Sequence, residues 1–177
     1  MTTLIDRRGP SRRTLLGMMG ATGALMVSGL ARIDDREAWG LEVTNLKPET
    51  MRTLIVMARD VYPHDRLADR FYAIAMKPYE TAAKDPAAKA MVEEGVITLD
   101  TLARARHGVA YADIGWEEQR TAILREIEDG AFFQKVRGGL VVSLYNQEEV
   151  WPIFGYEGSS ADKGGYIDRG FNDLAWL

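Results

Sequence analysis

The chain has 177 residues, with 22 Lys and Arg against 26 Asp and Glu, two histidines and no cysteine. Without cysteine, this chain has no disulfide, no thiolate catalyst, no iron–sulfur ligand set and no c-type haem attachment of its own. A formal net charge of −4 leaves no electrostatic footprint for nucleic acid or anionic lipid.

The N-terminus opens with Arg7, Arg8, Arg12 and Arg13, followed by an apolar run from Thr14 to Ala31. That run is diluted by Gly17, Gly20, Gly23 and Gly29, so it is too weakly apolar for a membrane span, which wants about 20 strongly apolar residues. A basic stretch, a moderately apolar middle and small residues at Gly29 and Ala31 read as an export signal over residues 1–31. Ser11-Arg12-Arg13-Thr14-Leu15-Leu16 matches the twin-arginine pattern, with Arg12 and Arg13 as the residues the translocon reads. The Tat route carries proteins already folded in the cytoplasm, usually because a cofactor is inserted there. The chain is therefore expected either to hold a cofactor or to travel with a protein that does, and to reside in the periplasm. An uncleaved signal would act as an anchor. Cleavage near Ala31 leaves about 146 residues, enough for one domain with its own core, at a net charge near −7.

Residues 32–46, with Trp39, read as an extended lead-in to a helical domain over 47–146. From Pro48, apolar residues Met51, Leu54, Ile55, Ala58 and Val61 recur at helical steps until Pro63 stops them. A second helix is expected from Asp65 through Leu67, Phe71, Ile74 and Ala75, bent or ended by Pro78. Asp85-Pro86 is a cap followed by a first-turn proline and opens a short alanine-rich helix that Gly95 closes. A further helix spans Leu99 to His107 and stops at Gly108. WEEQRTAILREIEDG carries acidic residues in its first turn and an apolar stripe at Ile123, Leu124 and Ile127, with Gly130 placed to end it. FFQKVRGGLVVSLYN reads as a last helix broken at Gly138-Gly139, although VVSLY also fits a buried strand. The expectation is an all-α domain of about five to six helices, with an irregular tail over 147–177 rich in aromatics and glycine.

The search for chemistry returns little. His64 and His107 have no local metal-ligand spacing. His64 beside Asp65 is a possible general base, but its plainer role is to brace an interhelix turn, since no Ser or Cys nucleophile motif accompanies it. His107 suits a helix C-terminus, where it favours the dipole. The pairs Glu93-Glu94, Glu117-Glu118 and Glu148-Glu149 point about 100° apart on a helix, which is poor geometry for acid–base partners and normal for a solvated face. Gly138-Gly139 lacks the spacing of a phosphate loop, and Met51, Met57, Met76 and Met91 read as core filler. No catalytic, cofactor-binding or metal-ligating set is identified.

The terminal run Val150-Trp151-Pro152-Ile153-Phe154-Gly155-Tyr156-Glu157-Gly158, then Gly164-Gly165-Tyr166, is too aromatic for a disordered segment. Together with the Tat signal, Tyr62-Pro63 and the FF segment, it resembles the gluconate 2-dehydrogenase subunit 3 family, the small or gamma subunits of bacterial periplasmic flavoprotein dehydrogenases. The resemblance implies a non-catalytic subunit that stabilises an FAD-binding large subunit of the glucose–methanol–choline type and escorts it through the Tat translocon. In complexes of that family a multi-haem cytochrome with haem c often takes the electrons. The resemblance transfers no catalytic residue to this chain. A free-standing periplasmic enzyme using His64 and Asp65, or a binding or chaperone-like protein without a dehydrogenase partner, are the competing readings. Candidate docking residues are Tyr62, His64, Trp151, Phe154, Tyr156, Tyr166, Phe171 and Trp176. Interface cores favour such aromatics, while the alternative is that the tail rings pack on the chain's own helices as core.

Overall fold

The computed structural model describes residues 43–165 and 167. These contain five α-helices and no strand: α1 Pro48–Val61, α2 Asp69–Ala82, α3 Pro86–His107, α4 Glu117–Glu126 and α5 Ala131–Tyr145, with short 3-10 turns at Tyr111–Asp113, Trp151–Phe154 and Ala161–Lys163. The domain is all-α, as its periodicity predicts. None of the described helices is long and apolar enough to cross a membrane.

Helix α1 starts at Pro48, whose missing N–H costs nothing in a first turn, and buries Met51, Leu54, Ile55 and Ala58. No local side chain caps it. Glu93 of α3 substitutes, accepting from the Lys47 amide and the Thr50 hydroxyl, each at 3.3 Å, and pairing with Lys47 Nζ. Glu93 is therefore nearly enclosed and not part of a solvated face. Of the expected lead-in, residues 32–42 lie outside the described residues; residues 44–46 are bent, and Glu80 of α2 holds them. Its carboxylate accepts the backbone N–H groups of Thr44, Asn45 and Leu46 at 2.8, 2.6 and 3.0 Å. Burial alone would raise its pKa, but these bonds outweigh it and hold the carboxyl below the usual range.

Several expected breaks do not occur. Helix α2 begins at Asp69, four residues later than Asp65, because residues 65–68 complete a turn closed by the Leu67 amide donating to the His64 carbonyl. Pro78 lies inside α2, which continues to Ala82. Asp85 caps α3 as expected, its side chain accepting from the Ala88 amide at 2.9 Å, and Gly108 ends it in the left-handed region at φ 73°. Between them Gly95 does not close a helix. It sits mid-way along one 22-residue helix because the Phe132 ring of α5 lies directly over it, where any Cβ would collide. Gly138-Gly139 likewise stays within α5, and VVSLY is helix. There the Tyr79 hydroxyl approaches the space a Gly139 side chain would need, donating to the Lys135 carbonyl at 2.9 Å. Burial pushes that phenol up to about 12. Gly130 does not end α4, which stops at Glu126; it precedes α5 as the N-cap.

Helix α2 packs between α1 and α5, and α3 and α4 complete the bundle around the Tyr111 turn. Leu54, Met57, Tyr72, Met76, Leu99, Tyr111, Ile123, Val136, Leu140, Leu144 and Val150 form its fully buried centre. Met51, Met57 and Met76 are core, as expected, and Met91 packs at its edge.

Candidate partner-docking site

The α1–α2 turn is built from Tyr62-Pro63-His64. Pro63 cannot continue α1, and the carbonyl of Tyr62 left at its end accepts a hydrogen bond from the buried Tyr72 hydroxyl at 2.7 Å. Leu67, 2 % exposed, plugs the turn into the core. His64 is thereby held with its ring toward the end of α5, where Nε2 shares a 2.7 Å hydrogen bond with the Tyr145 hydroxyl.

The tail folds back to the same place. Val150 is fully buried and fixes the start of the Trp151–Phe154 turn, and the Trp151 indole donates to the Tyr145 carbonyl at 2.8 Å. Gly155, at φ 77°, reverses the chain so that Tyr156 meets Trp151 edge-on at 5.2 Å. Phe154 lies edge-on to His64 at 4.9 Å and tilted to Tyr145 at 5.8 Å, while Tyr62 meets Tyr145 edge-on at 5.9 Å. Each spacing falls in the range where ring quadrupoles attract.

Of the candidate residues, Tyr62, His64, Trp151, Phe154 and Tyr156 thus gather in one cluster, although some 90 residues of chain separate the turn from the tail. Its hub, Tyr145, is not a residue the sequence singles out. The cluster is only half enclosed: Phe154 is 46 % and Tyr156 49 % exposed. Trp151 is half-buried, and from this stretch the core takes Val150 and, at its edge, Ile153. Tyr166, Phe171 and Trp176, and the signal residues Arg12 and Arg13, lie outside the described residues.

His64 is oriented by Tyr145 and not by Asp65, which is exposed in the turn. Partial burial holds the His64 imidazole below its ordinary pKa and raises the Tyr145 phenol, with Tyr62 adding to the latter. Because the fold favours neutral His64, its contribution to stability is complete above the unfolded value of 6.5 and is lost as pH falls through the lower folded value. With only two imidazoles in the chain, an NMR titration resolves them directly. His64 is expected to titrate below 6.5, and the melting temperature of wild type to fall more steeply from pH 7 to 5 than that of His64→Phe; superimposable profiles would refute the coupling.

A second polar cluster escaped the sequence reading. Asp60, its side chain 1 % exposed, accepts from Arg120 Nε at 2.7 Å and Nη2 at 2.8 Å, and from the Tyr111 hydroxyl at 2.6 Å. Arg120 also donates to the Ile114 carbonyl at 2.7 Å. Burial and the Asp60 charge push the Tyr111 phenol far up; burial works against the Arg120 cation, but Asp60 holds it above its ordinary value. These bonds tie α1, α4 and the Tyr111 turn together. Glu117, Glu118, Glu148 and Glu149 are exposed, as expected, with Glu149 beside Arg70 at 3.2 Å. Among the described residues no group of His, Asp and Glu has the arrangement of a metal site. Compared with protein-family models, curated proteins and solved structures, the chain gives no match.

Proposed function

We propose that this chain is a non-catalytic small subunit of a periplasmic FAD-dependent alcohol or sugar dehydrogenase, which stabilises the flavoprotein large subunit and accompanies it through Tat export. FAD belongs to that large subunit, and a multi-haem cytochrome c is the electron acceptor in the proposed assembly. The observation that carries the reading is the aromatic cluster. Tyr62, His64, Tyr145, Trp151, Phe154 and Tyr156 converge from three segments, yet Phe154 and Tyr156 remain near half exposed. Anchored but unburied aromatics of this kind suit the centre of a protein interface, where Trp and Tyr dominate binding energy. The twin-arginine signal supplies the reason for a folded, cofactor-bearing companion.

The test is co-purification. The full chain carrying a C-terminal tag, isolated from the periplasm of its native host, is expected to elute with a flavin-containing protein at a fixed ratio that survives gel filtration. Elution of the chain alone, with no flavin absorbance, would overturn the reading.

A further inference from the structure

We propose that Tyr145 and His64 form a proton-coupled redox pair, through which this chain gives single electrons to a strong one-electron oxidant that reaches its aromatic cluster. This is chemistry of the chain's own residues and does not depend on the proposed function.

A phenol gives up an electron readily only where its proton has somewhere to go, because the oxidised phenol is a strong acid. The tyrosines differ in that respect. The Tyr62, Tyr72 and Tyr79 hydroxyls donate to the backbone carbonyls of Arg137, Tyr62 and Lys135, which take up no proton. Tyr145 faces an imidazole, with 2.7 Å between its hydroxyl and His64 Nε2. With the imidazole proton on Nδ1, Nε2 is the acceptor and Tyr145 the donor. Burial favours neutral His64, the form able to accept, and raises the Tyr145 phenol, which therefore keeps its proton until an electron leaves. Tyr111 also donates to a basic group, Asp60, at 2.6 Å. That carboxylate is held in its charged form by two bonds from Arg120, which makes it a poor base, and Tyr111 is fully buried.

Tyr145 is the one of the two that an oxidant can reach. The Trp151 indole, itself oxidisable, donates to the Tyr145 carbonyl and meets Tyr156, which is 49 % exposed, while Tyr62 lies edge-on against the Tyr145 ring. The oxidant takes one electron at this edge and is reduced by one. The vacancy settles on Tyr145, where the O–H bond breaks and the proton passes to Nε2 along the existing hydrogen bond. Tyrosine and neutral imidazole thus become a neutral tyrosyl radical and an imidazolium, and the reverse transfer restores both when an electron returns. The titratable groups facing His64 are Tyr62 from α1, Tyr72 from α2, Tyr145 from α5, and Asp65 and Arg66 in its own turn; the tail presents it with the uncharged Phe154. Burial, and none of these charges, is what lowers its pKa.

The experiment flashes the purified full chain with a tris(bipyridine)ruthenium complex and a sacrificial electron acceptor. The trivalent ruthenium formed is the oxidant, and transient absorption and electron paramagnetic resonance read the neutral tyrosyl radical. Wild type is expected to form it in a fast phase that slows in heavy water and is lost as pH falls through the His64 titration followed by NMR, because imidazolium cannot accept. Tyr145→Phe is expected to lose the fast phase, His64→Phe to slow it by about tenfold or more, and Tyr111→Phe to keep it, each variant being checked for cooperative unfolding. A fast phase that persists in Tyr145→Phe, or runs at the wild-type rate in His64→Phe, overturns the pair, and its loss in Tyr111→Phe alone moves the site to Asp60 and overturns it too. The wild-type pH profile decides where a variant fails to fold: a rate that ignores the His64 titration overturns the proposal.

Discussion

Asp60→Ala is expected to destabilise the helical domain by about 3–5 kcal/mol, because it leaves the Arg120 guanidinium, whose side chain is 14 % exposed, buried without its counter-charge. Against a total of about 5–15 kcal/mol for a domain of ordinary stability, that is a large fraction. The Tyr111 hydroxyl loses its acceptor in the same step. Tyr111→Phe, which removes one neutral donor to a carboxylate that keeps Arg120, is expected to cost about 1–3 kcal/mol. Urea unfolding followed by circular dichroism measures both. A loss below 1 kcal/mol for Asp60→Ala, at unchanged denaturant slope, would show that the pair does not hold α1 to α4.

If residues 1–31 act as the proposed Tat signal, Arg12→Lys with Arg13→Lys is expected to abolish export, since a twin arginine is an address read by a receptor and lysine carries the charge without the recognised geometry. If the chain escorts a flavoprotein, both proteins accumulate in the cytoplasm, and periplasmic dehydrogenase activity falls at least tenfold. Immunoblots of the two compartments and flavin content of the periplasm give the readout. Normal periplasmic activity in the double variant would refute the escort role. Retention of this chain alone, with its partner exported, would leave association intact and remove the shared journey.

The parts of the fold that were legible in the sequence are those decided within a turn of the chain. Asp85-Pro86 and Gly108 each act on backbone groups two to four residues away, and they delimit α3 as expected. Gly95 and Gly138-Gly139 were misread for the opposite reason. A glycine inside a helix costs only about 1 kcal/mol relative to alanine, and here distant residues, Phe132 and Tyr79, use the space its missing side chain provides. Pro78 also fails to end α2, where it removes a single helical hydrogen bond in a helix otherwise held by Phe71, Tyr72, Ala75, Met76 and Tyr79 in the core. The candidate site was legible in outline, because the aromatic density of the tail and the Tyr62-Pro63-His64 turn are local signals. Tyr145, one tyrosine on a helix 81 positions from His64, carries no such signal, nor do Asp60 and Arg120, 60 positions apart.

The seating of Phe132 over Gly95 limits how this sequence is free to drift. Any side chain at position 95 needs the ring at 132 withdrawn, and loss of the ring opens a void over a bare glycine. The two positions therefore form a coupled pair in which each change is harmful alone and tolerated together. Among descendants of this fold they are expected to alternate as small with large and large with small, and an alanine at 95 should be met by a leucine or valine at 132.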